Sequence, residues 1–235
     1  MKKLKFICFI LPLSVFAQTN LPSNYIGINH GFSLPIGQYA SKNIKTGTYA
    51  TIGQVTSIDF GRYNNNWGLA GTISIAQHPV DKNTFQNQLN KDGVAAHPND
   101  SSKWLASTVM GGVAYGSAKG KFTFEANFLT GFFFAKTPSM SVENTNTLTE
   151  DYWKFYNVLW ECVGGIGIQT KAQIRYKLSK HWQLKANAAL YNAKIKYKTT
   201  QEAVPEFNQP KIIHEYIMPV AVFDFSLGLA YKFAQ

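Results

Sequence analysis

The last stretch of the chain has the clearest alternation of apolar and polar positions. From Ile217 to Phe233 every second residue is apolar or aromatic, and from Asp224 onward the intervening residues are small or polar. Because successive side chains of a β-strand point to opposite faces, this segment has an apolar face and a polar face. It is about three times as long as an ordinary strand of 5–6 residues. Such a strand is typical of a membrane β-barrel, with lipid outside and a polar lumen inside.

Seven earlier segments repeat this alternation, so the sequence predicts eight long strands. With the last one included, they cover about residues 25–36, 48–62, 67–77, 103–116, 121–136, 158–177, 182–198 and 217–233. The fifth is the most regular of the seven. Phe122, Phe124 and Phe128 fall on one face, whereas Glu125 and Asn127 fall on the other.

The connections between these strands alternate between long and short. Short turns are predicted at 63–66, 117–120 and 178–181, and long polar loops at about 79–102, 137–157 and 199–215. Outer-membrane barrels have short periplasmic turns, longer extracellular loops and an even number of strands. Pairing of the eighth strand with the first leaves no free edge, as lipid requires. The sequence therefore predicts an all-β fold, an eight-stranded antiparallel up-and-down transmembrane β-barrel.

Aromatic residues concentrate at the two ends of the predicted strands, where interfacial girdles lie in membrane proteins. At the short-turn end they are Tyr63, Trp67, Tyr115, Phe122, Tyr176, Trp182, Tyr231 and Phe233. At the long-loop end they are Trp104, Tyr152, Trp153, Tyr156, Trp160, Tyr197 and Tyr216. Aromatic residues are also common in strands generally. We predict two girdles from their clustering at the strand ends.

Composition indicates where the chain goes. Only 15% of the 235 residues are charged, whereas a soluble domain has about 25%. Residues 1–5 include three lysines, residues 6–13 form a short apolar run, and Ala17 precedes Gln18. This order predicts a secretory signal peptide over 1–17, which leaves 18–235 as a single barrel domain. No later run of about 18 apolar residues occurs, so no transmembrane helix is expected.

Charge and cysteine content exclude two further classes of protein. The net charge of +10 falls to +7 when the signal peptide removes three lysines and no acid, and the remaining basic residues are scattered. Export and this scatter argue against nucleic-acid binding. Cys162 is the single cysteine after the signal peptide, so an internal disulfide is excluded. We interpret Cys162 as a small apolar residue on the outer face.

Three stretches of the chain carry a family resemblance: 15–18 (VFAQ), 25–32 (YIGINHGF) and 227–233 (LGLAYKF). On these stretches the chain resembles the small outer-membrane β-barrel family of Gram-negative bacteria, in particular its eight-stranded Bacteroidota members and, more loosely, the OmpW- and OmpX-like barrels. Tyr231 and Phe233 resemble the assembly signal of such barrels. The resemblance implies that the barrel-assembly machinery and periplasmic chaperones are partners during biogenesis. Outer-membrane lipid and lipopolysaccharide are the partners expected afterwards.

The inward positions of the predicted strands carry eight charged residues. They are Asp59, Glu125, Glu161, Lys171, Arg175, Lys185, Asp224 and Lys232. Glu125 should face Lys171 or Arg175, with Lys185 beside them, because the fifth, sixth and seventh strands are neighbours. An eight-stranded barrel is barely wide enough for its own side chains, and buried charges must be paired. We therefore predict an ionic, hydrogen-bonded plug; a polar track for a small solute or ion is the alternative.

Other candidate sites are weaker. The loop after the third strand holds four possible metal ligands, His78, Asp81, His97 and Asp100. Their spacing matches no metal site, so we interpret them as solvated loop residues. His30 falls on the outer face, where it can hydrogen-bond along the wall. His214 and Glu215 form an acid–base pair near the rim without an evident nucleophile. No phosphate-binding, zinc or dinucleotide motif occurs, so we expect no catalytic residue, metal or cofactor.

The sequence therefore predicts a non-enzymatic integral outer-membrane protein. Its role would be structural, or an interaction through the extracellular loops, because loops carry much of protein function. The principal alternative is a porin-like narrow channel for small solutes or ions through the polar lumen. A lipid-modifying enzyme at the rim and a soluble periplasmic β protein are two further hypotheses.

Overall fold

Eight antiparallel strands close into a barrel in the computed structural model, which describes residues 23–43, 48–91, 96–97, 103–136, 138, 140–143, 154–157, 162–201 and 212–233. In chain order the strands are β1 (Tyr25–Ile36), β2 (Gly53–Asn64), β3 (Trp67–Pro79), β4 (Ala96–His97), β5 (Lys103–Lys119), β6 (Phe122–Lys136), β7 (Met140–Glu143), β8 (Lys154–Asn157), β9 (Cys162–Lys177), β10 (Trp182–Gln201) and β11 (Ile212–Lys232). The barrel order is β1-β2-β3-β5-β6-β9-β10-β11, and β11 returns to β1. The predicted eight-stranded up-and-down barrel is confirmed.

The alternation along each strand sorts side chains between the outside and the lumen. Phe32, Ile166 and Leu227 are 67%, 73% and 66% exposed on the outer surface, although they are large and apolar. Asn29 and Ser33 of β1 are buried inside the barrel. A register slip of one residue would exchange these two sets, so the pattern fixes the strand register.

Three tight turns define the short-turn end of the barrel, and the opposite end is called the long-loop end. The turns lie at Asn65–Asn66, at Gly120–Lys121 and between β9 and β10. Asn65 and Gly120 have φ values of 56° and 60°, a left-handed conformation that asparagine and glycine adopt most easily. The first two turns are therefore shorter than predicted, and β2 and β5 run on to Asn64 and Lys119.

The predicted loops hold more regular structure than expected. Helix α1 (Lys82–Lys91) and β4 lie within the first predicted long loop, and β7 and β8 lie within the second. β4, β7 and β8 form a separate three-stranded sheet. β10 and β11 pair as far as Gln201 and Ile212, so both strands extend beyond their predicted ends. β2 starts at Gly53 rather than near residue 48, after a single bridge between Ala50 and Val80.

Asp81 fixes the start of α1. Its Oδ1 accepts the backbone N–H of Thr84 at 3.1 Å, the usual contact of a helix N-cap. Its Oδ2 lies 2.5 Å from Nζ of Lys42, in the segment after β1. These contacts tie α1 to the chain at the long-loop end. None of the helices in the described part of the chain is long and apolar enough to cross a membrane.

Candidate functional site

The barrel interior is the candidate site, because the predicted charged residues converge there. Among the described residues, three carboxylates and three cationic side chains are buried in the lumen: Asp59, Glu125, Asp224, Lys171, Arg175 and Lys185. Their formal charges cancel. Glu161 lies outside the described residues. Lys232 is half-buried near the short-turn end, and the structure does not bring it into the buried set.

Asp59 is the centre of the first cluster. Its Oδ1 lies 2.7 Å from Nζ of Lys171, and its Oδ2 lies 2.5 Å from Nζ of Lys185. Asn29 Nδ2 donates to Oδ2 at 2.7 Å, and the hydroxyl of Thr72 donates to Oδ1. One carboxylate therefore receives hydrogen bonds from side chains on β1, β3, β9 and β10, and it joins strands on opposite sides of the lumen.

Glu125 and Arg175 form the second cluster, nearer the short-turn end. Arg175 Nη2 pairs with Glu125 Oε1, and Arg175 Nη1 donates to Gln183 Oε1 at 2.6 Å. The guanidinium carbon of Arg175 lies 3.9 Å from the ring centroid of Tyr25, a cation–π contact. The hydroxyl of Tyr25 in turn donates to Glu125 Oε2 at 3.2 Å. Lys171 and Lys185, which the sequence placed beside Glu125, pair with Asp59 instead.

A third, hydrogen-bonded chain includes Asp224. Ser33 Oγ donates to Asp224 Oδ1 at 2.6 Å, and His78 Nε2 lies 2.8 Å from Ser33 Oγ. The hydroxyl of Tyr39 lies 3.2 Å from His78 Nδ1. Because the single hydroxyl proton of Ser33 goes to the carboxylate, His78 Nε2 donates to Ser33 Oγ, and in the neutral imidazole Nδ1 then accepts from Tyr39.

The position of His78 corrects one prediction. The sequence predicts a solvated loop residue there, but His78 lies in β3 and is fully buried. The alternation of β3 simply continues two residues further, with Ala76 and His78 on the same inner face as Ser74. Extending the period-two pattern past residue 77 would have found it. Asp81 is the helix cap, and the side chains of His97 and Asp100 lie outside the described residues.

An apolar section fills the lumen toward the long-loop end. It consists of fully or almost fully buried inward side chains: Leu129, Phe133, Ile195, Met218 and Val220. Tyr39 and Trp104 pack edge to face above it, with ring centroids 5.6 Å apart. Between this section and the ionic clusters is a cavity of about 10 Å³, lined in part by Gln169, Asn187 and Asp224. A cavity of this size has room for about one water molecule.

The predicted aromatic girdles are only partly present on the outer surface of the described residues. At the short-turn end, Trp67, Trp182, Tyr231 and Phe233 are exposed on the outer surface. Tyr63 and Trp104 instead point inward and are buried, because each lies on the inner parity of its strand. Tyr152, Trp153 and Trp160 lie outside the described residues, as do the side chains of Tyr156, Tyr197 and Tyr216.

The remaining candidate residues do not form a site among the described residues. His30 is exposed on the outer wall, with Nδ1 2.9 Å from Thr56 Oγ1 on β2. The side chains of Cys162, His214 and Glu215 lie outside the described part of the chain. Within that part, no group of three or more His, Cys, Asp or Glu residues is placed to hold a metal ion.

The predicted assembly signal lies at the short-turn end of β11. Tyr231 packs edge to face on Trp182 of β10 and on Phe233, at centroid distances of 5.6 Å in both cases. Both residues are exposed on the outer wall, where β11 meets β1. Their role as a signal stays a prediction.

Comparison with known proteins gives structural neighbours only. No protein-family model matches the chain, and no curated protein matches it. Neisserial surface protein A is 10% identical, with a TM-score of 0.48 over 92% of this chain and 100% of that one. OprG from Pseudomonas aeruginosa is 12% identical, with a TM-score of 0.48 over 91% and 97%. AlkL, determined in lipid bilayers, is 12% identical, with a TM-score of 0.44 over 94% of each chain. The structural neighbours of this chain are thus small outer-membrane β-barrel proteins.

Proposed function

We propose that this protein is a non-enzymatic integral outer-membrane protein whose barrel is a filled anchor for the structure at its long-loop end. The outer surface supports a membrane location, because large apolar side chains such as Phe32 and Leu227 are mostly exposed there. With the signal peptide expected from the sequence, a barrel with a lipid-facing wall fits the outer membrane. The long loops would then be extracellular.

The filled lumen is the observation that carries the proposal of an anchor. The six buried charges of the lumen sum to zero and five of them are in ion pairs, so they have little capacity left for a passing ion. Leu129, Phe133 and Ile195 are at most 2% exposed in the apolar section. Apolar side chains packed this closely inside a lumen oppose conduction, because water leaves an apolar constriction. The surface that carries the function would therefore lie outside the lumen, at the long-loop end.

Single-channel recording tests the proposal. The refolded protein, verified as a barrel by its altered gel mobility before boiling, should give no steady conductance in planar bilayers. An open porin recorded in the same bilayers serves as the positive control and shows that the recording detects an open lumen. Steady conductance of the unaltered protein would contradict the filled-anchor proposal.

A narrow channel is the second candidate, supported by the number of polar side chains around Asp59 and Glu125. If it were correct, Lys171→Met would change the ion selectivity of a measurable current.

For a lipid-modifying activity, mass analysis of lipid A from cells with and without the protein decides. We expect identical spectra, and a modified lipid A species would overturn the non-enzymatic assignment.

A further inference from the structure

The outer face of β10 changes character toward the long-loop end. From Trp182 to Leu190 its outward side chains are apolar, whereas Asn192, Lys194 and Lys196 are polar and exposed. Lys194 lies twelve residues beyond Trp182. At about 3.4 Å per residue and a strand tilt of 35–45°, that is about 30 Å along the barrel axis. The apolar band of such barrels is about 25 Å tall, so these ammonium groups lie at headgroup level.

The β11 residues directly opposite the two lysines are apolar rather than acidic. In the β10–β11 register, Lys194 faces Pro219 and Lys196 faces Ile217. Ile217 is 63% exposed, and on the β9 side Asn192 faces Ile168. The acidic position in this register is Glu215, which is directly opposite Lys198 and diagonal to Lys196. Among the ion pairs of the described residues, none includes Lys194 or Lys196.

An apolar trough runs into the outer wall below these lysines. Ala126 of β6, Ala172 of β9 and Ala188 of β10 form a continuous cross-strand row. Larger side chains, including Phe128, Leu190 and Phe223, surround the row and leave a groove of about 600 Å³. Lys194 lies four residues beyond Leu190 on the same face, about 13 Å along the strand. An acyl chain in the trough would therefore bring its headgroup close to the two ammonium groups.

We propose that this face of the barrel, here called the β10 lipid site, binds one phosphorylated anionic lipid of the outer leaflet. The acyl chain lies in the trough over Ala172 and Ala188, and the lipid phosphate contacts Lys194 and Lys196, with the amide of Asn192 as a further donor. Charge complementarity selects the occupant: two cations at headgroup level favour a phosphate, and the trough favours a chain. The site rests on the proposed outer-membrane location.

Native mass spectrometry of the protein in detergent micelles tests the site. The probes are diphosphoryl lipid A and phosphatidylethanolamine, titrated in competition. Lys194→Gln with Lys196→Gln should weaken lipid A binding about 30-fold, from the usual contribution of a lysine near an anionic surface. Lys177→Gln with Lys180→Gln removes the same charge at the short-turn end and should leave binding unchanged. Ala188→Phe fills the trough and should weaken both lipids.

Gel mobility before and after boiling shows that each variant is folded, so a lost barrel is distinguished from a lost lipid site. The β10 lipid site would be overturned if the folded Lys194→Gln/Lys196→Gln variant bound lipid A as tightly as the folded Lys177→Gln/Lys180→Gln control. That result would not contradict the proposed membrane barrel. The same conclusion follows if the unaltered protein does not prefer lipid A to phosphatidylethanolamine. An Ala188→Phe variant that binds both lipids normally would remove the trough from the site.

Discussion

Asp59 should be the most sensitive charge in the barrel, and Asp59→Asn is the substitution that tests this. The change keeps the shape of the side chain but removes the charge that two buried lysines share, at 2.7 Å and 2.5 Å. Removing one partner of a buried ion pair typically costs about 3–5 kcal/mol, because the other charge stays buried without compensation. Since Asp59 has two such partners, we expect a loss of at least about 3 kcal/mol in the free energy of unfolding.

The measurement is urea unfolding of the protein refolded in lipid vesicles, followed by tryptophan fluorescence and gel mobility. With a slope of about 1–3 kcal/mol per molar urea, the expected loss moves the midpoint by about 1–3 M. Asp81→Asn is the matched control, because Lys42 in its ion pair is half-exposed and asparagine also caps a helix well. An exposed pair of this kind contributes about 0–1 kcal/mol, so the control should hardly move.

A compensated variant separates the loss of an ion pair from the loss of packing. Asp59→Asn combined with Lys171→Met and Lys185→Met removes all three charges and keeps most of the volume, and such replacements are often neutral or stabilising. It should recover a large part of the lost stability. If Asp59→Asn costs no more than Asp81→Asn, or if the triple variant is worse than the single one, the account of the ionic cluster is wrong.

Three further predictions concern the wall, the seam and the cap of α1. Leu227→Arg, at the middle of the outer wall, should lower the free energy of unfolding in vesicles by about 2–4 kcal/mol. Ile217→Arg, near the long-loop end, should lower it by about 0–1 kcal/mol. Equal losses would contradict the position of the lipid-facing apolar band on the outer wall. At the seam between β1 and β11, Gly31→Ala should destabilise the barrel by about 1–3 kcal/mol, because the added Cβ would lie 1.9 Å from the carbonyl oxygen of Phe225. Gly111→Ala is the control, because its added Cβ has nothing within 4 Å, and it should leave the free energy of unfolding unchanged. The hydrogen bond from Lys42, followed by that from Thr84, holds the pKa of Asp81 below its usual range, so its contribution to the cap of α1 is present above about pH 4 and is lost as the pH falls through the lowered pKa. A carboxyl ¹³C titration should give a midpoint below about 3.9 that rises toward this value in Lys42→Gln; an unchanged midpoint would contradict this.

The strand parity was predictable because two different surroundings impose it. Lipid selects apolar side chains at positions such as Phe32 and Leu227, and the narrow lumen selects polar or small ones at Asn29 and Ser33. This period of two is visible in the sequence without any knowledge of the partners. For the same reason the inward positions of Asp59, Glu125 and Arg175 could be read from the sequence.

Which charges meet could be predicted only in part, because parity gives the face of a residue and not its height in the barrel. Glu125 and Arg175 lie on neighbouring strands, so their contact was one of the options expected. Asp59 meets Lys171 and Lys185 across the lumen, and that contact depends on the stagger between strands that are not neighbours. The apolar section was missed as well, since Leu129 and Phe133 occupy inner positions of a strand whose other inner residues are polar or small. Local pattern rules carry no information about such long side chains that cross the interior.

The seam between β1 and β11 has a consequence for how the molecule is made. Its twelve residue pairs join Tyr25 to Lys232 and Ile36 to Ala221, so β1 cannot pair with β11 on that side until all the strands between them in the chain are present. Contacts so distant in sequence form slowly. Until then both outermost strands present unpaired backbone groups that invite association with other molecules. Newly exported copies are therefore most prone to aggregation before β11 is present to pair with β1.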